Sequence, residues 1–422
     1  MHLLWAILFG LSPLPLVAGT PSAKLKKELF HTPRSSAMAG AGFILDDTIS
    51  APELNPAGIG GLYWEVSPFL GKLNFPGPYL GGGSTDSSLH QPTEVLDIII
   101  NPSLDKKESF LVTAPDKNFS VHRGMITSLT IKRFQLTAFI NDEFNGFRGE
   151  DTTTPTNPDS YEVIYQKSTG FLGGMAIPLT PSFNVGVSGG YQQMSLAQQT
   201  FTSKANLVEA KQQQSLFEDG FHKYKGSFFN IGIHYRFLAP KKGLSPSLAL
   251  AVRDVGNTTF DQTSLTEAPI NINTPYKQAT ENNYIRAQNI SLGLSLSALG
   301  AFDWFHPHIS IAINHIGNED VDFEDSLALG LELDVGEPGE GALLRISGGV
   351  SSYKKGLSLT LDLGLVGATA SISNYDLGQD DVTESSILVF TNLASITEPK
   401  GNKYLKTKKF DFSTWVPTIF AP

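Results

Sequence analysis

No cysteine occurs in the 422 residues. That removes disulfides, thiol nucleophiles and thiolate metal sites together. It also suits a protein that crosses an oxidising compartment without needing bridges. Charge is scarce too. Asp, Glu, Lys and Arg make up 17% of the chain, against roughly 25% in an average globular protein. The balance is acidic, with a net charge of −10, so no nucleic-acid partner is expected, because phosphate affinity needs clustered Lys and Arg. After the N-terminus there is no apolar run of the length a spanning helix needs, so a membrane route must be a closed barrel. A soluble chain of this length would suggest two or three domains, whereas a large barrel uses it as one.

What is abundant is glycine, with 40 residues, together with 27 Phe and 12 Tyr. The N-terminus, "MHLLWAILFGLSPLPLVAGTPSAKLKK", carries an apolar run from Leu3 to Val17. That run has the length of a signal-peptide core and falls short of a spanning helix. Val17-Ala18-Gly19 and Pro21-Ser22-Ala23 supply small residues for cleavage. Only His2 precedes the run, in place of the usual Lys or Arg.

From residue 180 onward the governing signal has a period of two. Leu357, Leu359, Leu361 and Leu363 alternate with Ser358, Thr360 and Asp362. Leu327, Leu329, Leu331 and Leu333 alternate with Ala328, Gly330 and Glu332, and Ile309, Ile311 and Ile313 with Ser310 and Ala312. Successive strand side chains point to opposite faces, so these are strands with one apolar face and one small or polar face. Earlier segments (63–71, 125–132, 134–144 and 164–179) are noisier but alike. "APKKGLSP", "GNTTFDQTSLTEAPININTP", "GEPGEG" and "SSYKKG" read as the turns and loops between strands. Residues 89–105 and 203–219 read as short helices within loops. Connections alternate short with long, and the total is about 14 strands.

A soluble sheet usually turns Lys, Glu, Thr and Arg to water. Here the non-apolar face is mostly Ser, Gly, Ala and Asn. Such a face suits a barrel lumen against which another piece of chain packs, with the apolar face turned to lipid. The stretch "SSAMAGAGFILDDTISAPELNPAGIGGL", Ser35 to Leu62, is the natural filler. Its small residues allow close backbone approach. Its anchors (Met38, Phe43, Ile44, Leu45, Ile49, Leu54 and Ile59) distinguish it from a flexible linker.

The same residues carry a resemblance. "AMAGAGFILDDTISAPELNPAGIGGL" resembles the N-terminal signature of the FadL-like outer-membrane barrels, the long-chain fatty-acid transporter superfamily. The match falls on Ala37–Gly42, Asp46–Asp47 and Asn55–Gly58. "LALAVRDVGNTTF" and the stretch from Ser326 to Gly378 resemble strands of the PorV-like branch, with Asp254 standing where Asn is commoner. The resemblance covers most of residues 35–378. It implies an all-β transmembrane antiparallel barrel of 14 strands with an N-terminal hatch inside the lumen. The implied boundaries are a signal peptide at 1–23, a hatch at 24–62, a barrel at 63–396 and a basic tail or terminal strand at 397–422. The implied function is passive uptake of hydrophobic small molecules such as long-chain fatty acids across the outer membrane. The alternative is a PorV-like scaffold for secretion or surface attachment of proteins. Partners are then outer-membrane lipid, a hydrophobic ligand, the insertion machinery and, under the alternative, secreted or surface proteins. No cofactor, metal or enzymatic activity is expected. The hatch and ligand path fall on Gly40, Gly42, Asp46, Asp47, Asn55, Pro56, Ala57 and Gly58. Asn55–Gly58 would be its bend and Gly40–Gly42 its contact with the wall. The C-terminus, "KKFDFSTWVPTIFAP", departs from the terminal aromatic such barrels commonly carry; Ser385–Leu393 would be the last strand.

Other constellations point to less. Gly186-Val187-Ser188-Gly189-Gly190 has the letters of a nucleophile elbow, but the elbow needs a strand-to-helix turn and the alternation runs on through Tyr191. His306, His308 and His315 lie close in sequence, but Pro307 and the strand pattern put them at the ends of one strand without carboxylate company, which disfavours a metal site. Asp46 and Asp47 read as turn caps or as partners for wall residues such as Arg253 or Arg345. Glu319, Asp320, Asp322, Glu324 and Asp325 read as a solvated acidic loop.

Overall fold

The computed structural model describes residues 32–45, 50–59, 72–84, 119–131, 133–149, 160–180, 182–201, 222–237, 243–265, 283–299, 305–317, 323–335, 344–363, 366–376 and 381–392. The expected signal peptide, the strand at 63–71, the helices at 89–105 and 203–219, Asp46 and Asp47, and the tail at 397–422 lie outside them.

The described residues form sixteen strands in one antiparallel sheet. They are β1 (Lys72–Ser84), β2 (Phe119–Ile131), β3 (Phe134–Gly149), β4 (Ser160–Thr180), β5 (Phe183–Phe201), β6 (His222–Arg236), β7 (Gly243–Arg253) and β8 (Thr258–Leu265). There follow β9 (Asn283–Arg286), β10 (Asn289–Leu299), β11 (Phe305–Ile313), β12 (Leu327–Val335), β13 (Leu344–Ser351), β14 (Lys354–Asp362), β15 (Val366–Asp376) and β16 (Asp381–Asn392). Setting aside β8 and β9 leaves fourteen, and each of these has two neighbours. β1 pairs with β2 and with β16, β7 pairs with β6 and β10, and the β5–β6 ladder completes the ring. β8 and β9 form a hairpin that joins the outer part of β6, beyond the reach of the shorter β7. The stretch "GNTTFDQTSL", expected as loop, is therefore partly strand.

The faces are inverted relative to a soluble sheet. On β14, Leu357, Leu359 and Leu361 are 58%, 49% and 44% exposed, while Ser358 between them is 2% exposed. The pattern repeats on β11 and β12 with Ile309, Ile311, Leu329 and Leu331 outward and Ser310, Ala312, Ala328 and Glu332 buried. Only a solvent as apolar as a bilayer core makes such an outer face favourable, and the closed ladder leaves no unpaired edge there. The β2–β3 and β4–β5 junctions share one end of the barrel, and the strand ends Ser84, Phe119, Gly149, Ser160, Phe201 and His222, which bound the longer connections, lie at the other. The expected alternation stops at β13, where residues 352–353 alone join it to β14. At the short-turn end Phe183 meets Tyr235 at 6.1 Å and Tyr235 meets Phe237 at 5.0 Å between ring centroids. Rings at that level match a membrane-interface girdle.

Candidate functional site

The N-terminal segment lies inside the ring. Its first helix, α1 (Pro33–Ala37), is a single turn opened by Thr32, whose hydroxyl accepts the Ser35 amide at 3.1 Å. Proline at the first helical position costs no hydrogen bond, since that amide would be unpaired anyway. A 3-10 turn follows at Gly42–Ile44, then α2 (Ala51–Leu54) and a second 3-10 turn at Pro56–Gly58. All four elements are buried. Such short helices would not persist alone, so wall contacts must hold them.

The wall makes room with glycine. A Cβ added to Gly356 would stand 2.6 Å from the Ala37 Cα, one on Gly174 2.6 Å from the Ile59 Cδ1, and one on Gly330 2.5 Å from the Met38 Cε. Gly349 faces the Met38 backbone, Gly293 faces Ile44, and Gly186 and Gly232 face Asn55, Pro56 and Ala57 even more tightly. The segment thus crosses the lumen from the β13–β15 wall to the β4–β6 wall.

Polar contacts fix the same path. Arg34 forms a bidentate pair with Glu332, donating from Nε at 2.8 Å and from Nη2 at 2.9 Å. Arg345 stands 3.4 Å from the same carboxylate and binds Asp334 at 2.6 Å, and Ser347 donates to Glu332 at 2.7 Å. The Ser36 and Ser373 hydroxyls lie 3.2 Å apart. Asn314 donates to the Gly40 carbonyl at 3.4 Å. At the far side, Ser188 and Asn230 both donate to the Pro52 carbonyl.

Residues 55–58 form a tight turn, with Asn55 as the cap of the 3-10 turn Pro56–Gly58. Asn55 Oδ1 accepts the Ala57 amide at 3.2 Å, and the Gly58 amide donates to the Asn55 carbonyl at 2.9 Å. Gly40 sits at φ +93° beside Asn314 of the wall. Gly42 differs: a Cβ there would meet Met38 at 3.2 Å, within the plug itself. The closest approaches come mainly from wall glycines, which sequence reading had treated only as the small face of strands.

Above the plug, toward the long-loop end, inward side chains change character. Ile126, Phe139, Leu172, Phe228 and Leu388 form one buried apolar cluster contributed by β2, β3, β4, β6 and β16. On β6 the order from plug outward is Gly232 at Asn55, Asn230 at Pro52, then Phe228 in the apolar layer. Further out, Met194, Tyr224 and Phe260 form a second inward cluster with Leu196 packed against it. Between the two clusters lies Arg286 of β9, 5.0 Å above the Phe228 ring and 5.3 Å from the Phe260 ring.

The apolar layer meets an irregularity in the wall, a register shift in β1. The β1 ladder to β2 skips between Asn74 and Pro78, and the ladder to β16 skips between Pro76 and Tyr79. Pro76 still pairs with Phe390 and Pro78 with Met125, but neither has an amide hydrogen to donate, so the ladder shifts register here and is short of two donors. Ile126 and Leu388, both in the apolar layer, flank this irregularity on β2 and β16. Higher on β1, Gly81 and Gly83 stand in register with His122 and Glu384, whose side chains approach to 3.4 Å across it.

The remaining sequence candidates are placed as follows. Ser188 lies within β5, which runs unbroken from Phe183 to Phe201, so it is not on a strand-to-helix turn; its hydroxyl serves the plug. His308 does have carboxylate company, contrary to expectation: Asp334 of the neighbouring strand lies 3.7 Å from its Nε2, and Ser297 2.7 Å from its Nδ1. Glu332 and Asp334 are remote from His308 in sequence and come beside it only through the β11–β12 register. No group of three metal-ligating side chains occurs among the described residues. Arg345 is engaged by Asp334 and Glu332. Glu324 and Asp325 belong to a single helical turn, Phe323–Ser326.

Comparison with known proteins gives no matching family model and no matching curated protein. Among solved structures, the chain is similar to the P. putida toluene transporter TodX at 10% identity, covering 87% of this chain and 99% of that one, with a TM-score of 0.44. It is similar to the CymD monoaromatic hydrocarbon channel at 10% identity, covering 85% and 96%, with a TM-score of 0.42. A Pseudomonas aeruginosa FadL homologue matches at 10% identity, covering 85% and 97%, with a TM-score of 0.32. The barrel assignment itself rests on the closed ladder and the inverted faces.

Proposed function

We propose that the protein is an outer-membrane channel for passive passage of hydrophobic small molecules. The observation that carries this reading is the apolar layer inside the lumen. A barrel built only to hold a plug, or to conduct water and ions, has no use for five buried apolar side chains facing inward above that plug. Its apolar walls favour a molecule that crosses a polar surface layer poorly. In this reading the outer cluster at Met194, Tyr224 and Phe260 captures the molecule, and the layer at Ile126, Phe139, Leu172, Phe228 and Leu388 receives it. A shift of the plug then opens a path into the barrel or sideways to lipid at the β1 irregularity beside Ile126 and Leu388, and in the seated state the turn at Asn55–Gly58 keeps that path closed. Long-chain fatty acids are among the molecules this path would take.

The test is uptake of the neutral apolar fluorophore N-phenyl-1-naphthylamine into vesicles carrying the full chain whose outer leaflet is lipopolysaccharide, which supplies the polar surface layer that slows unaided entry. Wild type is expected to accelerate entry. Leu172→Glu puts a charge into the layer, where burial without a partner is costly; it is expected to cut entry at least about tenfold while the heat-dependent gel shift of a folded barrel persists. Equal entry with and without the protein would contradict the channel. Co-purification of exported proteins in that case would favour the scaffold.

A further inference from the structure

We infer that Arg286 is a second gate in series with the plug, and that the two are mechanically joined through Asp254, Asn230 and Ser188. The inference rests on the plugged-barrel reading above, though not on what the barrel transports.

Arg286 occupies the lumen where its two apolar clusters would otherwise meet. Its guanidinium lies against Phe228 of the inner layer and Phe260 of the outer cluster. All three of its nitrogens are engaged. Nε and Nη2 hold Asp254 Oδ1 at 2.7 and 2.6 Å, and Nη1 donates to Gln192 Oε1 at 3.0 Å. Thr258 donates to the same Asp254 oxygen at 2.7 Å. A guanidinium so held, mostly buried between two rings, is a fixed stopper. A molecule moving from the outer cluster inward must displace it.

Asp254 is an unusual place to hold that stopper. It is a non-glycine residue at φ +54°, in the sharp turn that ends β7 and leads to β8. Its backbone amide donates to Asn230 Oδ1 at 3.0 Å. Asn230 donates in turn to Ser188 Oγ at 3.1 Å and to the Pro52 carbonyl at 3.3 Å, and Ser188 donates to the same carbonyl. One amide side chain therefore joins the turn that positions the stopper to the helix at the core of the plug. Moving the β8–β9 hairpin pulls on Asp254, and a shift of Asp254 costs Asn230 its acceptor role. Asn230 then loses the geometry that holds Pro52. Buried hydrogen bonds of this kind tend to be kept or lost together, because each unpaired member is penalised.

The absence of cysteine provides the test. Ala51→Cys introduces a single thiol in the plug, beside Pro52, and labelling of the full chain in lipid nanodiscs by a membrane-impermeant maleimide then reports plug opening with no background. Arg286→Met, which touches no plug atom, is expected to raise the labelling rate about tenfold. Asp254→Asn, nearly isosteric, is expected to raise it as well, and Arg286→Lys less. Asn230→Ala is expected to raise it, and adding Arg286→Met to Asn230→Ala to give no further rise. Lys225→Met, on the exposed outward face of β6, is the control and should change nothing. Each variant is first checked for its heat-dependent gel shift; should Arg286→Met lose it, Asp254→Asn carries the test. Wild-type labelling in folded Arg286→Met or Asp254→Asn would overturn the inference. So would independent, multiplying effects of Arg286→Met and Asn230→Ala, since these would place the link elsewhere. Labelling needs no transported molecule, so the result stands whether or not the channel reading does.

Discussion

At the scale of single residues, the plug is held by what the wall omits. Gly186 and Gly232 leave no room for a side chain beside Asn55, Pro56 and Ala57: at Gly186 the obstacle is plug backbone, and at Gly232 it is Asn55 Oδ1, which the Ala57 amide holds in place, with the Ala57 nitrogen behind it at 2.9 Å. Gly232→Val is therefore expected to displace the bend and raise plug labelling at an introduced cysteine severalfold, measured against Gly189→Ala. At Gly189 an added Cβ stands 3.3 Å from its nearest neighbour, the Phe228 carbonyl, a far milder encounter. Unchanged labelling in folded Gly232→Val would contradict a tightly seated plug. The sequence displayed the plug's own small residues plainly, but not that wall glycines make most of the close contacts. A glycine within a period-two strand looks the same whether it faces a plug or a void. His308 illustrates the converse limit. Its carboxylate neighbour is one strand away in space and 26 residues away in sequence, so only the register brings the two together.

At the scale of elements, two predictions separate plug from wall. Helix α1 is anchored by the Arg34–Glu332 pair, and both side chains are almost fully buried. Removing one member of a buried pair costs about 3–5 kcal/mol; the low end applies here, since Arg345 remains beside Glu332. Arg34→Met should thus release the N-terminal segment to limited proteolysis while the barrel keeps its heat-dependent gel shift. Protection equal to wild type would show that α1 is held by other contacts. Strand β1 carries the second prediction. Replacing Pro76 and Pro78 together by Val and Thr restores the missing amide donors, lets the ladder close beside Ile126 and Leu388, and is expected to slow entry of an apolar fluorophore about tenfold. Undiminished entry would rule out the sideways exit. Strands with a clean alternation, such as β12 and β14, were legible from sequence because one face must be apolar and the other small. The β8–β9 hairpin was not, since Asn257, Thr258, Thr259 and Asp261 carry turn-like residue types although Phe260 fills the lumen. Arg286 was invisible for the same reason: its partners lie on β5, β6 and the β7–β8 turn.

At the scale of the whole molecule, the inverted faces, the closed ring and the inward N-terminal segment make one argument. An apolar exterior demands a lipid solvent, a ring of fourteen strands leaves a lumen wide enough to need filling, and the first described segment fills it. This architecture was legible because period-two patterning reports faces directly; the layering within the lumen was not, because it depends on which residues of different strands share a level. The central claim is that apolar molecules pass when the plug moves. Ser36→Cys with Ser373→Cys tests it most directly, placing two thiols where hydroxyl oxygens now lie 3.2 Å apart, in a chain with no other cysteine. Entry of N-phenyl-1-naphthylamine into the same lipopolysaccharide-faced vesicles is measured before and after reduction of the cross-linked protein. Entry that falls about tenfold on oxidation and recovers on reduction is the predicted result. Equal entry in both states would mean that molecules pass without displacing the plug, and would contradict the account.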